Sequence, residues 1–292
     1  MDKIEILYGK LEGTEGQFTR DPTGFLMLAT DIFQKRGLDV HYRHAQGTEE
    51  RYRELEEKRA NISLVVGRTA LKHFLETEKT RLLGCSINSC PYRLVVQSKL
   101  QTKEDLRGSS LACRKSTAHK APLVEGLKQW GNLTVGEDII LQLPATDKEA
   151  LDMLYRGEVY AALLPQPHAI IAEEKGFRRM IDWPDFVDDP LPLVLETTAR
   201  QFSERPDVFR VFLEAYREGI TYLKKNRDEA IKMLRNTFAQ SPFVAAKAFD
   251  DYLPCLNGSL TVNKQCLEKL LEDIAPGRRG GASLLAATWI VS

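Results

Sequence analysis

The chain lacks an excess of charge of either sign: its 292 residues carry 41 Lys plus Arg and 41 Asp plus Glu, a formal net charge of zero. Nucleic-acid binding and polybasic membrane attachment both leave a basic excess, so neither class is expected. Long hydrophobic runs are missing too. No apolar stretch approaches the roughly 20 residues that span a bilayer, and no partner relationship by direct membrane insertion is expected. Cysteines are few and odd in number, at 85, 90, 113, 255 and 266, which excludes a fully paired disulfide framework. No CxxC pair occurs; Cys85 and Cys90 are close enough for a bridge or a shared metal, but no histidine lies near, and five ordinary thiols and no metal or other cofactor are expected. Gly9-Lys10-Leu11-Glu12-Gly13 does not have phosphate-loop spacing. The start, Met1-Asp2-Lys3 running into Ile4, lacks the parts of a signal peptide, so the sequence leaves two locations open. They are the cytoplasm for a chain used as written, and the periplasm or another extracytoplasmic site for one whose signal was removed.

What is present is an ordinary globular composition, 43% hydrophobic and 28% charged, with a clear rhythm. Ile4 to Tyr8 reads as a strand, Phe25 to Arg36 as a helix stopped by Gly37, and Leu38 to Tyr42 as a strand. Glu49 to Lys58 follows as a helix capped by Thr48, and Ile62 to Val66 as a strand buried on both faces. This β-α-β-α-β order predicts a mostly parallel sheet with helices on both faces. A second unit starts near Pro91. Its strands are predicted at Tyr92–Gln97, Ser110–Cys113, Ile139–Leu143 and Val159–Leu164, with helices running to Leu127 and over Lys148–Arg156. Leu191 to Glu196 then reads as a strand returning to the first unit. Helices follow at Pro206–Lys225, Arg227–Phe238, Ser241–Tyr252 and Lys264–Asp273. The last ten residues fit no element.

One β/α unit is thus interrupted by another and resumed. The expected architecture is an α/β fold of two lobes with mixed, mostly parallel sheets, an interlobe cleft and a two-stranded hinge. Residues 1–90 and 191–292 would form the first lobe and 91–190 the inserted second.

Four stretches carry a resemblance. They are Phe33-Gln34-Lys35-Arg36-Gly37-Leu38-Asp39-Val40; Thr102-Lys103-Glu104-Asp105-Leu106-Arg107-Gly108 with Ser109-Ser110-Leu111-Ala112; Ala150-Leu151-Asp152-Met153-Leu154-Tyr155-Arg156-Gly157-Glu158-Val159; and Arg205-Pro206-Asp207 through Phe212-Leu213-Glu214-Ala215. In order and spacing the chain resembles the type 2 periplasmic binding proteins, in the branch that includes nitrate, taurine, aliphatic-sulfonate and thiamine-precursor binding proteins. The resemblance implies a substrate-binding protein that takes a small polar or anionic organic ligand and presents it to the permease of an ABC-type importer. Where such relatives carry an acidic residue before an apolar strand, this chain has Asn61 and Tyr160. A different class on the same fold is a cytosolic enzyme, a decarboxylase, a dehydratase or a thiamine-pyrimidine synthase. Reduced thiols and the missing signal suit that class, but the cysteine-rich iron motif of the pyrimidine synthase is absent.

Ligands of such sheets bind beyond the carboxyl ends of the strands. The loop Arg114-Lys115-Ser116-Thr117 joins a strand to a helix, where free N–H groups, the helix dipole and hydroxyls suit an anion. By the resemblance it faces the cleft; simple capping by Ser116 or Thr117 is the alternative. Arg68 and Thr69 stand at a similar junction, as an anion clamp or as a solvated helix start. Gln46-Gly47-Thr48 is either a ligand-contacting turn or ordinary turn chemistry. Thr14 lies in the polar stretch after the first strand. Tyr8 and Phe18 are candidate aromatic walls, and Asn88 a donor at the crossing between lobes. Gln166 and His168 end the buried strand of the second lobe, with His168 equally a structural residue. No residue is assigned a catalytic role.

Overall fold

The computed structural model describes residues 1–8, 23–89, 92–115, 117–182, 191–238, 240–276, 285 and 287–291. Thr14, Phe18 and Ser116 lie outside them, as does Cys90.

The strands form two five-stranded sheets. The first has the order β2-β1-β3-β10-β4, from β1 (Asp2–Tyr8), β2 (Leu38–His44), β3 (Ile62–Val65), β4 (Thr80–Ile87) and β10 (Leu193–Thr198). The second has the order β7-β6-β8-β5-β9, from β5 (Tyr92–Val96), β6 (Ser109–Ala112), β7 (Ile139–Gln142), β8 (Ala161–Pro165) and β9 (Arg178–Asp182). β1 pairs in parallel with β2 and β3, and β10 runs antiparallel to both β3 and β4. β6 is parallel to β7 and β8, and β5 is antiparallel to β8 and β9. The chain leaves the first sheet after Ile87 and returns to it at Leu193. This is the two-lobed, mixed α/β architecture that the sequence predicts.

The antiparallel strands decide the geometry of the site. The ends of β1, β2, β3 and β4 lie on one edge of the first sheet with the start of β10. The ends of β6, β7, β8 and β9 lie on one edge of the second with the start of β5. Both crossings join these two edges, so the strand-end loops of the two sheets belong to the same interlobe region.

Local sequence explains most elements. β3 and β8 are buried at every position, as continuous apolar strands between helices should be. Helix α5 (Thr117–Gly131) follows β6, and helix α6 (Asp147–Tyr155) follows β7. The Thr146 hydroxyl caps α6 by accepting the Glu149 N–H at 3.0 Å, while Glu149 accepts the Ala145 N–H at 2.8 Å. After α7 (His168–Glu174) and α8 (Ala199–Glu204), helix α9 (Pro206–Lys225) has Pro at its start, Asp207 in its first turn and Lys224 and Lys225 in its last. That matches the dipole along its whole length. Phe209, Phe212, Leu213, Tyr216, Ile220 and Leu223 make its buried face. Helices α10 (Arg227–Phe238), α11 (Pro242–Tyr252) and α12 (Lys264–Ile274) complete the described set.

Some expectations are corrected. The helix predicted over 25–36 is two, α1 (Thr23–Leu28) and α2 (Ile32–Lys35). Thr30 divides them: its hydroxyl donates to the Met27 carbonyl at 2.7 Å and accepts the Ile32 N–H at 3.3 Å. Helix α3 (Thr48–Glu56) begins at Thr48, so Thr48 is inside it and Gly47 is the cap residue, with no side-chain capping bond. Glu50 takes the Gln46 N–H instead. Strand β4 and strand β9 have no counterpart in the sequence reading. Neither has the tail, where Trp289 is fully buried and Ile290 bridges Leu82 beside β4. Asn61, in place of an acidic residue, accepts the Glu5 N–H at 2.8 Å and donates to Gln201 at 3.0 Å, stitching α8 to the sheet. Cys85, Cys113 and Cys255 are buried and Cys266 is partly buried. Among the described residues no helix is long and apolar enough to cross a membrane, and no group of three His, Cys, Asp or Glu is arranged to hold a metal.

Candidate functional site

Tyr8 is the last residue of β1, buried, with its ring edge-on to His44 at 5.9 Å; burial pushes its hydroxyl pKa up. His44 ends β2 and is exposed. The turn that follows leaves Gln46, Gly47 and Thr48 exposed beside it. These four elements of the first sheet's edge, an aromatic ring, an imidazole, an amide and a hydroxyl, are hydrogen-bonding or stacking groups.

The third strand end is tighter. Helix α4 (Gly67–Thr77) starts directly after β3, and the Gly67 N–H donates to the Leu191 carbonyl at 3.0 Å. A β-carbon at Gly67 would stand 2.4 Å from that oxygen, so only glycine permits this approach. The contact seats the returning chain against the first turn of α4. Arg68 and Thr69 follow, both half-buried. The Arg68 guanidinium is ion-paired with Asp273 of α12. Asn88, just past β4, is exposed, and its N–H donates to the Cys255 carbonyl at 2.8 Å.

On the second sheet's edge, Arg114 follows β6 and its Nη1 lies 3.5 Å from the Asp147 carboxylate, which is fully buried at the start of α6. Arg114 keeps 20% side-chain exposure, so it reaches from that carboxylate toward solvent. Lys115 beside it is exposed, and Thr117 opens α5. Gln166 and His168 follow β8 and are both buried. Gln166 donates its amide Nε2 to Asp251 at 2.5 Å and leaves its Oε1 without a hydrogen-bond partner, while His168 begins α7.

The sequence reading missed Arg93. It sits second in the apolar strand β5 and is 4% exposed. Its Nη2 lies 2.6 Å from Asp251 and its Nε 2.9 Å from Asp182, the latter an ion pair rather than an aligned hydrogen bond. A lone Arg inside Tyr92-Arg93-Leu94-Val95-Val96 was the available signal, since a buried charge needs a partner. The cations Arg68, Arg93 and Arg114 thus each face a carboxylate.

Away from the strand ends, Arg51 of α3 is buried and donates from Nη1 to Ser63 at 3.0 Å and to the Leu64 carbonyl at 2.7 Å. Glu196 of β10 is fully buried close by. Burial raises its carboxyl pKa to about 7, against the pull of the Tyr52 hydroxyl, the Arg51 charge and the Thr80 hydroxyl. Its oxygens have no well-aligned hydrogen bond, which agrees with a carboxyl that keeps its proton. Tyr52 in turn stacks on His73 at 3.4 Å. A separate cavity of about 600 Å³ lies between Ile32, Lys35, Glu218, Tyr222 and Met233, and none of its lining residues ends a strand.

No protein-family model matches the chain, and no curated protein does. Solved structures do. The alkanesulfonate-binding protein SsuA from Xanthomonas axonopodis pv. citri, bound to MOPS, matches over 99% of this chain and 93% of its own, at 15% identity and a TM-score of 0.68. The periplasmic aliphatic sulphonate binding protein SsuA from Escherichia coli matches over 98% of this chain and 87% of its own, at 17% identity and a TM-score of 0.73. The ligand-binding component of an ABC-type import system from Staphylococcus aureus, with zinc bound, covers 100% and 97% at 12% identity and a TM-score of 0.73. At these identities the likeness is one of fold. The chain has the two-lobed fold of the type 2 periplasmic binding proteins, as the four sequence stretches imply.

Proposed function

We propose that this protein is a solute-binding protein that closes its lobes on one small polar or anionic organic molecule and delivers it to an ABC-type importer, acting outside the cytoplasm. The observation that carries the reading is the shared orientation of the strand ends. Two sheets, joined by two chain crossings, turn their loop-bearing edges into one interlobe region, and those edges carry Tyr8, His44, Gln46, Thr48, Arg114, Gln166 and His168. Donors and acceptors from both sides, with one partly exposed arginine, suit a small polar solute held by several hydrogen bonds. The named functions of the structural neighbours, sulfonate binding and ABC-type import, agree with this reading.

In this mechanism Arg114 is oriented by Asp147 and supplies the charged hydrogen bond to an anionic group. The Tyr8 ring provides an apolar wall and Gln46 and Thr48 the opposing polar contacts. Ligand contacts made by both lobes at once favour the closed state in proportion to their difference between open and closed forms.

A thermal-shift screen over small carboxylates, sulfonates, pyrimidines and aromatic acids tests the proposal. A true ligand at about 100 times its dissociation constant stabilises the fold by about 2.7 kcal/mol, and mass spectrometry after prolonged incubation should recover it unchanged. Chemical conversion of the hit, or no shift with any class, would overturn the proposal.

A further inference from the structure

The chain order assigns everything after residue 191 to the first lobe, yet its charge contacts divide that segment. Helices α10 and α11 form an antiparallel pair closed at its open end by Arg227, which donates from Nε and Nη2 to the two oxygens of Asp250 at 2.8 and 2.7 Å. The next residue, Asp251, faces the other way. Its carboxylate lies 2.6 Å from Arg93 Nη2, in β5, and accepts the Gln166 amide, just after β8, at 2.5 Å. Arg93 also pairs with Asp182, the last residue of β9. Ile170 of α7 adds an apolar contact, lying in one cluster with Val244 and Phe249 of α11.

One buried guanidinium therefore holds three things together: the strand that follows the first crossing, the strand that precedes the second, and the end of α11. Parting Arg93 from Asp251 would leave a guanidinium only 4% exposed with Asp182 alone and take the Asp251 carboxylate from its cation. The hairpin touches the first lobe differently. There, Met233 and Leu234 of α10 and Phe249 of α11 share their cluster with Leu26 of α1 and Leu223 of α9, all apolar. Apolar contact is non-directional and tolerates small sliding, whereas a desolvated ion pair does not. The hairpin also joins the first lobe through non-helical backbone. Asn226 before it has φ −120° and ψ 58°. After it, a short 3-10 turn at Leu253–Cys255 leads to Leu256, which bridges Ile87.

We propose that the α10–α11 hairpin moves as one body with the second lobe, pinned by Arg93, and that Asn226 and the segment Leu253–Leu256 flex together with the two strand crossings. The moving lobe is then larger than the inserted segment of the chain, and α1 and α9 form the surface over which it slides. This partition does not depend on which ligand the cleft takes.

Pulsed dipolar distance measurements on the full chain test it. Spin labels are attached through a bio-orthogonal amino acid, which spares the native thiols, at the exposed positions Lys72 in α4, Lys128 in α5 and Asn236 in α10. The 128–236 distance distribution should be the narrowest of the three pairs, with 72–236 and 72–128 similar to one another in width. Asp251→Asn should broaden the 128–236 distribution at least twofold and leave 72–128 centred where it was. A 72–236 distribution narrower than 128–236, or a 128–236 distribution unchanged by Asp251→Asn, would overturn the proposal. Should that variant fail to fold, the widths in the unmodified protein decide alone.

Discussion

Glu196 and the strand-end arginines carry the sharpest consequences of single side chains. Glu196 keeps its proton up to pH about 7 in the folded protein, against an ordinary value of 4.5. The folded state thus binds more protons between these values, so the stability from this group is fully present below pH 4.5 and is lost as pH rises through 7. A difference of this size is worth about 3 kcal/mol. Glu196→Gln should abolish that loss, so that in denaturant unfolding the variant gains on the native chain from pH 4.5 to about 7 and the gain then levels off. Parallel curves would refute a proton held at Glu196. The half-buried His73, whose pKa burial lowers, acts in the opposite sense and is common to both proteins. The arginines separate by burial. Arg68 and Asp273 are 23% and 56% exposed, so Arg68→Ala should cost under about 1 kcal/mol and leave ligand affinity unchanged. Arg114→Ala leaves the buried Asp147 without its cation. It should cost about 1–3 kcal/mol and weaken binding of any anionic ligand found by the thermal screen at least tenfold. Equal effects at the two positions would contradict the assignment of Arg114 rather than Arg68 to the site.

Elements were readable from the sequence where a single physical rule governed them. Helix α9 shows its start, its face and its end in composition alone, and β3 and β8 are apolar throughout. The parts that escaped are those set by tertiary contact. Strand β4 contains Gly84, where a β-carbon would stand 2.7 Å from the Leu260 carbonyl, so a residue that weakens a strand marks a close approach of chain. Strand β9 is Arg178 to Asp182, polar because it is an edge. The site divides in the same way. Strand-end residues such as Arg114, Gln166 and His168 follow from the β/α rhythm, but Arg93 lies inside an apolar strand, and its partners are 89 and 158 residues away in the chain. The junction of β3 with α4 offers a test at this scale. Gly67→Ala places a methyl against the Leu191 backbone and should destabilise by about 1–3 kcal/mol through overpacking. Gly47→Ala, in open space with an extended backbone, should change stability far less. Similar melting temperatures for the two variants would mean that the returning chain yields at Leu191.

For the whole molecule, two sheets with matched loop-bearing edges and two chain crossings make a body that can enclose a solute. The neutral balance of charge over the chain fits a receptor for small molecules rather than for a polyanion. Closure around a ligand is tested most directly by small-angle X-ray scattering with and without the molecule that raises the melting temperature. The radius of gyration should fall on binding and saturate at one ligand per chain. A ligand that binds stoichiometrically and leaves the radius of gyration unchanged would contradict a protein that works by closing its lobes.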